Sequence, residues 1–229
     1  MSQSPSIRTA LVVGANRGIG LALCRRLTAR GRRVIAACRR SSRELDAEAA
    51  RGVRVETGVD VTSEDSVDDL ARRLAGTPID ELWCSAGILR DDDLDDVAMD
   101  DVRAQIEVNA IGPLRVVRAL RWRLAGAAKI ALVTSRMGSI GDNGSGGSYG
   151  YRMSKAALNA AGMSLARDLV GVGVAVAILH PGYVRTDMTG GHGNVDADTA
   201  AGQLLDRVDA LTPATSGTFW HANGEVLPW

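Results

Sequence analysis

The apolar segment Thr9–Val13 runs directly into Gly14-Ala15-Asn16-Arg17-Gly18-Ile19-Gly20, and that turn opens an apolar-faced helix. A strand that turns into a helix on glycines leaves the N–H groups of the first helical turn free at the strand's carboxyl end, where they suit an anion. Gly14 permits the tight turn, Gly18 lets main chain approach a pyrophosphate, and Gly20 lets helix and strand pack closely. The spacing G-x-x-x-G-x-G differs from the dinucleotide fingerprint G-x-G-x-x-G. A glycine-rich βα turn without a ligand is the competing explanation.

The same alternation continues along the chain. Near-continuous apolar runs predict strands at 9–13, 33–38, 53–56, 81–84, 129–134 and 174–179, with a last strand near 218–222. Helical patterns fall between them at 19–29, 43–50, 64–74, 102–111, 113–124, 151–169 and 197–210. Strand–helix alternation implies right-handed parallel crossovers and an α/β fold. The expectation is one doubly wound Rossmann domain over residues 1–229, with a parallel, mostly seven-stranded sheet flanked by helices on both faces. No Pro- or Ser-rich linker divides the chain, and 229 residues suit one substantial core. A Gly/Ser stretch at 141–150 and a flexible substrate loop near 187–196 are placed at the carboxyl ends of strands.

Charge narrows the function classes. Lys+Arg and Asp+Glu are 27 each, which argues against a global footprint for nucleic acid. The longest uncharged run, Leu169–Val184, is too short and too broken by glycine and proline to span a bilayer. The N-terminus shows no secretory signal. Cys24, Cys38 and Cys84 are odd in number and widely spaced, and with three scattered histidines they make neither a disulfide framework nor a metal site, so the cytoplasm is the expected compartment. The acidic run from Asp91 to Asp96 reads as a solvated loop leading to a helix start rather than a cation site.

Two lysines, Lys129 and Lys155, stand among the 27 cations. Lys155 lies one helical turn after Tyr151, on the same face. A fixed ammonium there favours phenolate and is expected to lower the tyrosine's pKa, which suits acid–base chemistry near neutrality. Ser135, at the end of the strand before that helix, can hold a substrate oxygen beside the phenol. Tyr149 is the rival tyrosine, but its i+4 partner is Met153. The second strand ends Ala37-Cys38-Arg39-Arg40 with no carboxylate to take ribose hydroxyls, so Arg17 and Arg39 are expected to pair a 2′-phosphate, favouring NADP over NAD. Gly146-Gly147-Ser148-Tyr149-Gly150 satisfies the G-x-S-x-G pattern of serine hydrolases, with Asp187 and His192 downstream. No strand leads into that serine, which counts against the hydrolase reading. His180 reads as structural, and Trp122 as an anchor either for the sheet or for a partner.

Taken together, these motifs resemble the short-chain dehydrogenase/reductase family over nearly the whole chain. Gly14, Gly18 and Gly20 match that family's glycine loop, and Asp60-Val61 an adenine-contacting pair. Cys84-Ser85-Ala86-Gly87 stands where the family shows Asn-Asn-Ala-Gly, a departure that implies looser contact there. Asn109, Ser135, Tyr151 and Lys155 match the catalytic tetrad. Pro181, Gly182, Val184 and Thr186 match the segment that holds the nicotinamide carboxamide. The run Tyr149 to Asn159, the segment from His180 to Met188 and the Pro228-Trp229 ending resemble the C-factor/Sniffer branch of carbonyl reductases and signalling proteins. The resemblance implies hydride transfer between a nicotinamide and a carbonyl or alcohol substrate, with Tyr151 exchanging the proton and Lys155 also orienting the ribose. Asn109 would hold a water that links Lys155 to solvent. A homodimer or homotetramer built on helices 102–111 and 113–124 is implied as well. A non-catalytic signalling protein that binds cofactor is the alternative on the same fold.

Overall fold

The computed structural model describes residues 7–229; residues 1–6, on which part of the leader-sequence expectation rests, lie outside the described residues. In chain order the elements are β1 (Thr9–Val13), α1 (Gly18–Ala29), β2 (Arg33–Ala37), α2 (Arg43–Ala49), β3 (Arg54–Glu56), α3 (Glu64–Arg73) and β4 (Ile79–Cys84). Then come α4 (Met99–Ile106), a π-helical turn (Glu107–Ile111), α5 (Gly112–Leu120), β5 (Leu124–Val133) and α6 (Tyr149–Asp168). The chain closes with β6 (Ala175–His180), β7 (Val184–Arg185), β8 (Val195–Asp196), α7 (Ala197–Asp209) and β9 (Phe219–His221).

The main sheet has seven strands in the order β3-β2-β1-β4-β5-β6-β9, and every pairing is parallel. Alternating side chains feed two apolar layers. Ala10 and Val12 of β1 pack with Leu23, Leu27, Leu204 and Leu205 on one face. Leu11 and Val13 pack with Leu70, Val117, Leu120 and Leu158 on the other. Burial on both faces is why these strands read as unbroken apolar runs. Helix starts are fixed by local chemistry: Ser42 caps α2, Ser63 caps α3 and Asp196 caps α7. Strand order reverses between β1 and β4, and this switch point opens a crevice at the carboxyl ends of both.

Most boundaries shift by one to three residues from the sequence expectation, and three differences are larger. The helices expected at 102–111 and 113–124 form one unbroken run from Met99 to Leu120, with Pro113 accommodated by the π-helical turn Glu107–Ile111 directly before it. Leu124–Ala128, partly assigned to that helix and partly to a loop, instead begins β5, where Leu124 pairs with Ile79. Residues 184–196 carry the small β7–β8 ribbon around a turn at Asp187–Thr189. Trp122 anchors neither sheet nor neighbour in the chain; it is 79% exposed, with the Arg121 guanidinium 4.6 Å from its ring centroid.

Candidate active site

The glycine turn sits at the switch point as its sequence requires. Gly14 N–H donates to Ala37 O at 2.9 Å, and Ser85 N–H donates to Val13 O at 2.9 Å, so β1, β2 and β4 converge on one edge. Gly14 has φ +88°, and a Cβ there would lie 2.5 Å from Ala86 N. A Cβ on Gly20 would run into the Gly14 carbonyl. Only bare main chain fits this corner. Arg17 at the start of α1 makes no side-chain cap, and the first turn holds no acidic residue. The N–H groups of Gly18, Ile19 and Gly20 are therefore positioned for an anion, and the corner fits the pyrophosphate of a dinucleotide.

Neighbouring segments close on this corner. Ser42 Oγ donates to Asn16 O at 2.7 Å while accepting from Leu45 N, which ties the loop to α2. The sequence reading missed Ser42; its signal was a serine three residues before Leu45 at a helix start. A Cβ on Gly18 would touch Thr186 Cγ2 at 3.4 Å, and Arg17 pairs with Asp187 at 3.2 Å. Asp60 accepts from Thr62 N and Oγ1 and is held below the usual carboxylate range, chiefly by those bonds, with Arg39 and Arg115 adding to the effect. Val61 packs beside Gly112, and its carbonyl accepts from Arg115. Arg39 and Arg40 are exposed beyond β2.

The tyrosine and lysine lie on the same side of the sheet. Tyr151, Lys155 and Ser135 are all buried. Gly138, in the turn after Ser135, packs so closely on α6 that a Cβ there would lie 2.7 Å from the Lys155 carbonyl carbon. Gly87 reaches the same place: a Cβ on it would lie 3.2 Å from Asn109 Oδ1, 3.7 Å from Lys155 Nζ and 3.8 Å from Met188 Cε. The glycine turn, Gly87, Thr186 and the buried phenol and amine thus line one continuous edge. Pro181 and Val184 are buried and Gly182, at φ +90°, lies against His221.

The electrostatics correct one expectation. Burial pushes the Tyr151 phenol up to about 12, opposed by a hydrogen bond with Ser135. Lys155 does not make the phenol acidic in this state. Its ammonium lies 5.6 Å from the ring centroid and donates to Val133 O at 3.0 Å, and burial lowers it to about 8. Desolvation dominates because both groups are buried.

Asn109 is held by structural hydrogen bonds. Oδ1 accepts from Ile88 N at 2.8 Å, and Nδ2 donates to Ile88 O at 2.8 Å and to Ser154 Oγ at 2.9 Å. Asn109 thereby ties the segment after β4 to α6, from within the π-helical turn, a distortion that recurs at functional sites.

The acidic run also serves another helix than expected. Asp92 accepts from Tyr149 N at 2.6 Å and from Gly150 N at 3.3 Å, so it caps α6. Ser148, at φ 49°, donates to Asp91 at 2.5 Å and follows a polar loop, so the G-x-S-x-G match is not a strand-borne nucleophile. His180 is packed edge-on against His221 at 4.9 Å, and His192 is exposed. The three cysteines are free and buried, and no group of three metal-ligating side chains exists among the described residues. No helix among them is long and apolar enough to cross a membrane.

A glycine turn at the switch point of a parallel Rossmann sheet, with a buried tyrosine and lysine along the same edge, fits an oxidoreductase that uses a nicotinamide cofactor. The chain belongs to the short chain dehydrogenase family, whose model matches residues 8–195. A 1-hydroxy-2-glutathionyl-2-methyl-3-butene dehydrogenase from Rhodococcus sp. (strain AD45) is 47% identical over 227 residues, spanning 96% of this chain and 99% of its own. The carbonyl reductase Sniffer of D. melanogaster has a TM-score of 0.90 at 27% identity, over 97% of this chain and 100% of its own. An NADPH-bound carbonyl reductase from chicken fatty liver also has a TM-score of 0.90, at 30% identity over 97% of this chain and 99% of its own.

Proposed function

We propose that this chain transfers hydride between NADP and a carbonyl or alcohol substrate, with Tyr151 as the general acid–base. The observation that carries the reading is the buried Tyr151–Ser135–Lys155 group on the edge shared with the glycine turn. When bound, the nicotinamide supplies or accepts the hydride. Gly14, Asn16, Arg17, Gly18, Ile19 and Gly20 cradle the pyrophosphate with main chain, while Asp60, Val61, Ser85, Ala86 and Gly87 line the adenosine and ribose side. Pro181, Gly182, Val184 and Thr186 frame the nicotinamide end. Ser135 holds the substrate oxygen, and the Tyr151 O–H donates a proton to it as hydride arrives at carbon. A phenol near 12 keeps its proton at neutral pH, which supports reduction as the favoured direction. Lys155, charged below about 8, stabilises the phenolate left behind and orients the ribose. Asn109 keeps the segment after β4 in register with α6.

Arg17 and Arg39 are the residues assigned to the 2′-phosphate. Arg39 is exposed at the end of β2, and the carboxylate that would repel a phosphate there is missing. The NADPH-bound reductase supports the same choice. Exposed Ile111, Leu114 and Met153 support a homodimer or homotetramer through the α5 and α6 faces. Three buried free thiols support a reducing, cytoplasmic setting.

The test is nicotinamide absorbance over a panel of aldehydes and ketones with NADPH and NADH side by side. The reverse direction includes a glutathione-conjugated alcohol, the chemistry in the Rhodococcus relative's name. Tyr151→Phe should lose at least about 100-fold in turnover and bind NADPH within about twofold of wild type. Undiminished turnover by that variant removes Tyr151 from the mechanism.

A further inference from the structure

Two side-chain amides stand one helical turn apart on the helix facing the site, and both are fully buried: Gln105 near the end of α4 and Asn109 in the π-helical turn. Each grips one residue of the segment leaving β4 by both main-chain groups. Asn109 takes Ile88. Gln105 takes Arg90: Oε1 accepts from Arg90 N at 2.9 Å, and Nε2 donates to Arg90 O at 3.1 Å. The spacing has a simple cause. Four helical residues rise about 6 Å and two extended residues about 6.7 Å, so i and i+4 on a helix match j and j+2 on a strand. The amides act as a two-rung ladder in place of a neighbouring strand.

Both rungs also reach α6. Asn109 donates to Ser154 Oγ, which donates to Tyr151 O at 2.7 Å. Gln105 packs on Gly150, the residue before Tyr151, so closely that a Cβ on Gly150 would run into its Nε2. The amide therefore fills the space between the 88–90 segment and the first turn of α6.

We propose that Gln105 is a positioning residue for the reaction, setting the separation between the 88–90 segment and the helical turn that carries Tyr151. The inference rests on the reading of Tyr151 as the proton donor. Misplacing a reacting group by about 1 Å can cost about 100-fold in rate. No contact of Gln105 with the cofactor cradle is required, so cofactor affinity is the internal control.

The test compares Gln105→Leu and Gln105→Glu with wild type. Gln105→Leu removes both bonds to Arg90 at similar volume and should lower kcat for carbonyl reduction by about 10- to 100-fold, with NADPH Kd within about twofold. Gln105→Glu keeps the acceptor for Arg90 N but presents a lone pair to Arg90 O. A buried carboxyl that holds its proton restores that donor, so this variant should regain activity relative to wild type as pH falls from 8 towards 6. Hydrogen exchange supplies a readout free of turnover: Gln105→Leu should lose protection at Arg90 and at 150–153 while Ile88 stays protected. Unchanged protection at 150–153, or an unchanged kcat, overturns the role of Gln105. So does a loss of cofactor affinity equal to the loss in kcat. If Gln105→Leu does not fold, the pH-dependent recovery of Gln105→Glu decides. Inactive wild type with the expected exchange pattern sinks the Tyr151 reading and leaves the ladder standing.

Discussion

Replacing Lys155 by methionine should make the cofactor-free protein more stable at neutral pH while abolishing turnover. The Lys155 side chain is buried, its ammonium donates to Val133 O at 3.0 Å, and burial lowers its pKa from 10.5 to about 8. At about 1.4 kcal/mol per pH unit, keeping that charge inside costs about 3 kcal/mol at pH 7. Methionine fills a similar volume without charge but gives up a hydrogen bond worth about 1 kcal/mol. The net gain is about 2 kcal/mol, or about 6 °C in Tm for a chain of this length. The pH dependence gives the sign. Below pH 8 the lysine is charged both folded and unfolded, and the full penalty is present. Between about 8 and 10.5 the folded state releases its proton first, so wild-type stability climbs towards the variant's. Above 10.5 the advantage is gone. Tyr151 is present in both proteins, so its own titration largely cancels from the difference. Urea unfolding followed by tryptophan fluorescence at pH 7 and pH 10.5 measures this directly. A variant no more stable than wild type at pH 7, or one whose advantage does not shrink with pH, would refute the account of a destabilising buried ammonium.

Other substitutions probe the frame around the site. Gly20→Ala drives a Cβ into the Gly14 carbonyl, so NADPH affinity should fall by at least about tenfold with unchanged far-UV circular dichroism; normal affinity in a fluorescence titration contradicts the cradle. Ser42→Ala removes both the bond to Asn16 O and the α2 cap, costing about 1 kcal/mol of stability and weakening cofactor a few-fold. Stability lost with an unchanged Kd would confine Ser42 to capping. Arg32→Ala takes from Glu81, 1% exposed, its ion-pair partner, leaving Trp83 Nε1 at 3.4 Å and the charge of Lys129 opposite it on β5, and should destabilise by about 3 kcal/mol without moving KM. A denaturation midpoint equal to wild type's would argue against that buried pair.

Much of the fold was legible because its signals are local. Strands buried on both faces read as Leu11–Val13 and Ile130–Val133 do, and the glycine turn announces both a corner and a helix start. Boundaries failed where the outcome depended on distant partners. Leu124 looks helical beside Arg121 and Arg123, yet Ile79 across the sheet recruits it to β5. Pro113 looks like a break, yet the π-helical turn directly before it lets the helix run through.

The sequence by itself determined the residue types and the order in which they arrive: the glycine turn, Ser135, then Tyr151 and Lys155 one helical turn apart. Spacing within one element is enough for that, since periodicity fixes which side chains share a face. Only the tertiary structure decided their electrical state, because desolvation depends on everything packed around a group. An expected acidic phenol became one that holds its proton, and Lys155 became the less stable charge. The tertiary structure also decided which polar residues serve the site from a distance. Asp92 reads as a solvated acid and Gln105 as an ordinary helical residue until the fold brings one onto the start of α6 and the other beneath it. Hydrogen bonds between elements leave no periodic trace in the chain.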